Sequence, residues 1–270
     1  ATGAHAGTRE FAVAMARQAA SQDRIRKDFL ARASRMLDRI AARVQPLLEA
    51  KDAATRLLEL REIAGHVQTL GFHAGVAGLE SAARFSQALA ALLGDVIEKP
   101  DAFTDSVLRT IVDACDQLPG FFAATEAQDD PHPDLPPQVL VVDGDEANRR
   151  ECALALARID AATLRLGDPQ TALAVLEENP FSLILLDVVL PGMEGFDVCR
   201  RVRACAANRS TPVVFMTALE GLESRDKAVA SGGNDLIAKP FLPMELAVKA
   251  LTLLRREHPE FPKAASPAAV

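Results

Sequence analysis

The stretch from Phe181 to Gly195, FSLILLDVVLPGMEG, constrains the fold of this chain more than any other. Its apolar run, Ser182–Leu186, has the Leu- and Ile-rich composition of a strand buried on both faces of a parallel sheet. The run ends at a carboxylate, Asp187, and leads into a turn with one proline and two glycines. Open α/β sheets hold their ligands at the carboxyl ends of the strands, so Asp187 is a candidate functional residue. The alternative is that Asp187 only caps a turn or a helix.

A proline-rich segment divides the chain. Gln128–Gln138, QDDPHPDLPPQ, contains four prolines and three aspartates, which predicts an extended, exposed linker. Residues 1–127 read as helices, and residues 139–257 alternate between strand and helix patterns. Residues 258–270 contain further prolines and are predicted to be a tail or a linker. The sequence therefore predicts two domains.

Composition excludes several classes of protein. At 49% hydrophobic and 25% charged residues, the 270-residue chain has the apolar content for two cores. No apolar run approaches the roughly 18 residues of a membrane span. A net charge of −7, with no Trp and no Tyr, argues against nucleic-acid binding. The four cysteines form no CxxC pair, as expected for free thiols in a reducing cytoplasm. We therefore expect a cytoplasmic protein that binds neither membrane nor nucleic acid.

In the first domain, apolar residues recur at helical spacing in five segments. The first predicted helix is short and lies around Phe11 and Met15, and the second begins at Ile25 and is kinked or ended by Pro46. Asp52 caps the third helix, the fourth carries Val76 to Leu93, and the fifth begins near Asp101. Amphipathic helices with short connections predict an antiparallel domain that resembles a four-helix bundle.

This bundle resembles the histidine phosphotransfer (HPt) domain of bacterial phosphorelays. In that family an Asp precedes the phosphorylated His by nine residues, and glycines follow the His by four and ten. Asp52, Gly65 and Gly71 agree on one such register, which places Arg61 at the His position and Ala64 at the position of the family's Lys. Arginine is permanently protonated and cannot accept a phosphoryl group. The resemblance therefore implies an HPt-like interaction module without the phosphotransfer chemistry.

Two histidines near this register are alternative phosphoacceptors. His66 follows Arg61 by five residues, which places it about 140° around the helix, on a different flank. His73 is predicted at the next helix junction. We expect both to be surface or boundary residues, and we expect Arg61 to face solvent.

In the second domain, five strand–helix units predict an α/β fold with a doubly wound, five-stranded parallel sheet. Four of its strands end in functional side chains, which are Asp143, Asp187, Thr217 and Lys239. In a parallel sheet these ends share one edge, so the four side chains can converge. A carboxylate oxygen can attack a phosphoryl group, while a hydroxyl and an ammonium bind the oxygens of the transferred group.

Residues 139–257 resemble the receiver domain of response regulators, a flavodoxin-like fold. The segments VLVVDGDEANR, LLDVVLPGMEG, VVFMTAL and IAKPF match its four motifs. The resemblance implies that Asp187 is the phosphoacceptor, Thr217 the switch hydroxyl and Lys239 the conserved cation, with a cis Lys239-Pro240 peptide. It also implies a magnesium site formed by Asp143, Asp187 and the backbone carbonyl of Val189. The implied partners are a histidine kinase or a phosphotransfer protein, with a possible homodimer through the receiver.

Two positions depart from the receiver pattern. Gly144 stands where receivers carry a second acid that binds the metal directly, so weak magnesium binding is predicted. Asp145 is one residue further on and either contributes to the metal site or caps the following helix. Leu236 stands where the family carries an aromatic switch residue, so signalling by ring burial cannot operate in its usual form.

These observations predict a signalling protein that is not itself an enzyme, since no Walker loop, GxGxxG turn, HExxH or nucleophile elbow is present. One alternative is the regulatory half of a larger enzyme, such as a cyclic-dinucleotide cyclase or phosphodiesterase. A second alternative is an active phosphotransferase that uses His66.

Overall fold

The structure is a computed structural model that describes residues 3–123, 136–218 and 222–256, without the side chains of residues 3–19 and 222–224. The chain divides into two compact units. Among the described residues, the first unit contains 3–104 and 111–123, and the second contains 105–110, 136–218 and 222–256. The predicted tail at 258–270 and most of the predicted linker at 128–138 lie outside the described residues.

The first unit contains three helices and the part of a fourth from Ile111 onward, in agreement with the predicted fold class. They are α1 (Gly3–Glu49), α2 (Ala53–Val76), α3 (Glu80–Glu98) and α4 (Asp105–Ala123). α2 begins at Asp52, whose carboxylate accepts a hydrogen bond from the backbone N–H of Thr55 at 2.8 Å. Gly78 adopts a φ of +72° in the turn between α2 and α3, which favours glycine.

The helix boundaries differ from the predicted ones at three places. α1 is one continuous helix, with Pro46 inside its last turn, rather than two helices. α2 runs on to Val76, so His73 lies within it and not at a junction, and Val76 belongs to α2 rather than to the next helix. A short 3₁₀ turn, Pro100–Ala102, comes before α4, which begins at Asp105 rather than near Asp101. Helical periodicity continues across such short breaks, so spacing alone does not locate them.

The second unit contains a five-stranded parallel sheet. Its strands are β1 (Gln138–Val142), β2 (Ala162–Leu166), β3 (Leu183–Asp187), β6 (Val213–Thr217) and β7 (Asp235–Ala238). They lie in the order β2-β1-β3-β6-β7. A small antiparallel hairpin, β4 (Val189–Leu190) and β5 (Met193–Glu194), follows β3 and was not predicted. The helices are α5 (Glu146–Ala157), α6 (Pro169–Glu178), α7 (Gly195–Ala204), α8 (Leu222–Ala230) and α9 (Pro243–Arg256). The flavodoxin-like architecture predicted from the sequence is confirmed.

The three central strands β1, β3 and β6 supply the core of the second unit. Every residue of β3 and β6 is buried, as expected for strands covered on both faces. All four cysteines are free, with Cys205 half-buried and the other three buried. Within the described part of the chain, no helix is long and apolar enough to cross a membrane.

Candidate functional site

Parallel pairing places four predicted side chains at the carboxyl edge of the sheet. Asp143 follows β1, Asp187 ends the neighbouring β3, and Thr217 ends β6. Lys239 follows β7, and the peptide between it and Pro240 is cis. In the register, Asp187 pairs with Met216, the residue before Thr217. The fold thus brings to one edge residues that are up to 96 positions apart in the chain.

Lys239 joins the two carboxylates at this edge. Its Nζ donates a hydrogen bond to Asp143 Oδ2 at 2.6 Å and lies 3.0 Å from Asp187 Oδ2. Asp143 is fully buried and Asp187 is 9% exposed, so both charges are largely withdrawn from water. Two buried carboxylates would repel each other, and the ammonium between them offsets that repulsion.

The other carboxylate oxygens have different surroundings. Asp143 Oδ1 accepts hydrogen bonds from the backbone N–H of Asp145 at 2.8 Å and from Asn148 Nδ2 at 3.3 Å. Asp187 Oδ1 accepts one long bond, at 3.3 Å, from the backbone N–H of Val189. Asp187 Oδ1 is therefore held less firmly than Asp143 Oδ1, and less firmly than Asp187 Oδ2, which lies 3.0 Å from Lys239 Nζ.

Burial sets the protonation behaviour of this pair. Loss of solvation raises the pKa of Asp187 above its ordinary value, and the nearby Asp143 charge adds to this, although Lys239 opposes it. Burial alone would lower the pKa of Lys239, but its hydrogen bonds to Asp143 and Asp187 outweigh burial and raise that pKa. The lysine is consequently protonated at neutral pH.

Thr217 and Val189 lie beside the pair. Thr217 is 1% exposed, and its backbone carbonyl accepts a hydrogen bond from the Lys239 N–H at 2.7 Å. Val189 is 68% exposed, at the start of the hairpin. The hairpin returns closely to β3, because a Cβ added to Gly195 would lie 2.1 Å from the backbone oxygen of Asp187. A glycine is required at that contact.

The carboxylates of Asp143 and Asp187 are hard oxygen donors of the kind that Mg²⁺ prefers. Gly144 supplies no side chain, and Asp145 is the N-cap of α5, where its Oδ1 accepts from the Ala147 N–H at 2.8 Å. No group of three or more His, Cys, Asp or Glu side chains positioned to hold a metal occurs among the described residues. The residues at this edge therefore fit a magnesium ion with two carboxylate ligands, one fewer than the receiver pattern.

Asn148 is a further residue at this site, and its position there was not predicted from the sequence. It lies in the first turn of α5, is half-buried, and contacts Asp143 through its amide. The sequence signal for this contact is the position of Asn148 five residues after Asp143, across the turn from β1 to α5.

In the first unit, the HPt-register residues lie on an outward face of α2. Arg61 is exposed, as predicted, and a Cβ added to Gly65 would meet nothing within 4 Å. Three apolar residues share this face within about 60° of Arg61 at 100° per residue. Their exposed fractions are 57% for Leu58, 67% for Phe72 and 53% for Val76. We call Leu58, Arg61, Gly65, Phe72 and Val76 the α2 face.

The two histidines lie on one flank of α2, about two turns from each other. His66 is half-buried and lines a shallow depression with Arg39, Ala42 and Arg43 of α1. His73 is exposed, with ring contacts to Phe29 and Phe72. His66 therefore faces α1 and is not part of the α2 face.

Comparison with known proteins identifies the second unit. Residues 139–251 match the family described as response regulator receiver domain. The chain is 38% identical over 120 residues to Response regulator PleD of Caulobacter vibrioides, a match that covers 44% of this chain and 26% of PleD. It is 36% identical over 123 residues to DNA-binding response regulator MtrA of Mycolicibacterium smegmatis, covering 46% of this chain and 53% of MtrA. The chain thus spans between about a quarter and about half the length of these curated relatives.

Solved structures give matches of similar extent. Chemotaxis response regulator CheY4 of Vibrio cholerae is 28% identical, covering 44% of this chain and 99% of CheY4, with a TM-score of 0.42. The receiver domain of sensor histidine kinase PA1611 from Pseudomonas aeruginosa is 25% identical, covering 45% of this chain and 99% of that domain, with a TM-score of 0.42. Its structure is described as having a magnesium ion coordinated in the active site cleft. From the family match, residues 139–251 are a response regulator receiver domain, the signalling module of two-component systems.

Proposed function

We propose that this chain is a two-component or phosphorelay signalling protein whose receiver accepts a phosphoryl group on Asp187. The observation that carries the proposal is the buried Asp143–Lys239–Asp187 arrangement at the carboxyl edge of the sheet. The phosphoryl donor would be a histidine kinase or a phosphotransfer protein. In this proposal the chain receives a signal and is not an independent enzyme.

The proposed transfer uses the less firmly held oxygen of Asp187. Oδ1 forms a bond to phosphorus while the bond from phosphorus to the donor's imidazole nitrogen breaks, and the electron pair leaves with the imidazole. Lys239 and the Thr217 hydroxyl would then bind the phosphoryl oxygens. Asp143, Asp187 and the Val189 carbonyl would hold Mg²⁺, which neutralises charge on the phosphoryl group when bound.

Mass spectrometry of the full chain after treatment with acetyl phosphate and magnesium tests this proposal. The wild type should gain one phosphoryl group, and Asp187→Asn should gain none because the nucleophilic oxygen is removed. Asp226→Asn, which changes an exposed carboxylate on α8, is the control and should gain the group as the wild type does. Equal phosphorylation of the Asp187→Asn chain would contradict the assignment.

We further propose that the helical bundle is an HPt-like interaction module that uses the α2 face. Phe72 and Val76 lie one turn apart and are both exposed, with Leu58 further along the same face, and exposed apolar surface of this kind suits a protein partner. The partner we propose is the acidic receiver edge of a second copy of the chain. That edge carries the exposed acids Asp145 and Glu194 beside the exposed Val189, which complement Arg61 and its apolar neighbours.

Sedimentation of the full chain over a range of concentrations tests the second proposal. Self-association should weaken in Arg61→Glu and in Glu194→Arg, and a mixture of these two variants should recover it. Leu154→Ser removes another exposed apolar side chain, on α5, and should leave self-association unchanged. A chain that stays monomeric, or a mixture that recovers nothing, would exclude a second copy as the partner.

A second candidate function is the regulatory half of a larger enzyme. The match covers only 26% of PleD and 53% of MtrA, so these relatives extend well beyond the receiver. The length of the native gene tests this candidate, because a coding sequence that ends at Val270 leaves no room for a following enzyme domain.

A further inference from the structure

We propose that Asn148 is a ligand of the divalent cation in the receiver, in place of the acid that is missing at Gly144. This inference rests on the magnesium site proposed above for Asp143 and Asp187. It gives a metal-binding role to Asn148, which lies within the first receiver motif, VLVVDGDEANR, but is not among the ligands that the resemblance implies.

The position of Asn148 supports this role. Its Nδ2 lies 3.3 Å from Asp143 Oδ1, the oxygen that Lys239 does not contact. The side chain is half-buried in the first turn of α5, and the carboxylate that it contacts is fully buried.

Its neighbours offer no equivalent oxygen. Gly144 has no side chain, and Asp145 Oδ1 caps α5. Arg149 is a cation whose guanidinium donates to the Asp143 backbone carbonyl at 2.5 Å. Of the described side chains that donate a hydrogen bond to the Asp143 carboxylate, Asn148 is the one that is neutral and carries an oxygen atom.

The Asn148 amide can serve the site both without and with the cation. With Nδ2 towards Asp143, as here, it donates a hydrogen bond to the carboxylate. A half-turn about the bond to the amide carbon exchanges nitrogen for oxygen and presents a carbonyl oxygen, which is a ligand that Mg²⁺ accepts. Because the amide is neutral, it would bind the cation more weakly than the acid it replaces.

Calorimetric titration of the unphosphorylated full chain with Mg²⁺ measures this role directly. Asn148→Ala should weaken binding by roughly tenfold or more. Asn148→Asp should tighten it, because a carboxylate replaces the amide. Ala147→Asp adds the same charge one residue earlier, at an exposed position about 100° away on α5, and should change binding much less. Circular dichroism of each variant should match that of the wild type.

Two results would overturn the inference: an Asn148→Ala chain that binds Mg²⁺ as tightly as the wild type, or an Asn148→Asp chain no tighter than Ala147→Asp. The titration separates this inference from the proposed function. If the Asn148 variants shift Mg²⁺ binding as expected while Asp187 is not phosphorylated, the proposed function fails and the ligand assignment stands.

Discussion

At the scale of single residues, Asp187 combines a reactive position with unfavourable burial. Its pKa is raised, so the folded chain binds this proton more tightly than the unfolded chain does. As the pH rises from the ordinary value of 3.8 through the raised pKa, ionisation of Asp187 therefore lowers the free energy of unfolding. The ionised carboxylate is retained at some expense of stability, as is common at functional sites.

We therefore expect Asp187→Asn to raise the thermal unfolding midpoint at neutral pH, because an amide mimics the protonated acid. The gain should shrink as the pH falls towards 3.8, where the wild-type carboxyl also becomes protonated. Thermal denaturation followed by circular dichroism at several pH values measures both effects, with Asp226→Asn as the exposed control. A gain that is independent of pH would contradict the burial argument.

Gly144 leads to a second prediction at this scale. Gly144→Asp should bind Mg²⁺ about tenfold more tightly than the wild type, roughly 1.4 kcal/mol, because it restores a carboxylate ligand. The new Cβ would lie 3.3 Å from Pro191 Cδ, so the proline ring must shift slightly to admit it. The measurement is a Mg²⁺ titration of the two chains. Equal affinities would mean that the neutral Asn148 amide already serves the cation as well as a carboxylate at position 144 would.

At the scale of elements, α2 carries two glycines in opposite environments. A Cβ added to Gly71 would lie 2.8 Å from Ser86 Cβ, so Gly71 marks a close approach of α2 and α3. A Cβ at Gly65 would meet nothing within 4 Å. Both glycines stand at positions where the HPt family carries glycine. Only Gly71 is required by the packing of α2 against α3.

Alanine substitution should separate these two glycines. Gly71→Ala should destabilise the chain by about 1–3 kcal/mol, because α2 and α3 must move apart. Gly65→Ala should stabilise it by up to about 1 kcal/mol, because alanine favours a helix interior over glycine. Urea unfolding followed by circular dichroism gives both changes, and shifts of the same sign would contradict this account of packing.

At the scale of the whole molecule, the two units differ in the chemistry that they can support. Asp187 lies at a site with a cation and a buried hydroxyl, whereas the HPt register of the bundle places Arg61 where a phosphoacceptor would stand. We infer that the receiver alone accepts a phosphoryl group and that the bundle binds a partner.

The full chain should consequently gain no more than one phosphoryl group from a phosphohistidine donor. His66→Ala and His73→Ala should gain as much as the wild type, and the label should be absent from peptides of α2 by mass spectrometry. An acid-labile label that disappears in His66→Ala would instead establish a phosphotransferase that uses His66.

The sequence by itself determined the receiver sheet with little error. β3, predicted at Ser182–Leu186, is Leu183–Asp187. The apolar runs of β1, β3 and β6 are each closed by a polar residue, and α6 begins at an N-cap Asp168 followed by Pro169. Such signals are local, so a single sequence contains them.

Only the tertiary structure decided how distant residues meet. The contact of Lys239 with Asp143 spans 96 residues, and no local pattern gives its distance or the resulting rise in the pKa of Lys239. The exposure of Phe72 also depends on which helices pack against α2, because periodicity marks an apolar residue without showing whether a neighbour covers it. Asn148 became a candidate ligand for the same reason, since its role depends on the turn that brings α5 back over Asp143.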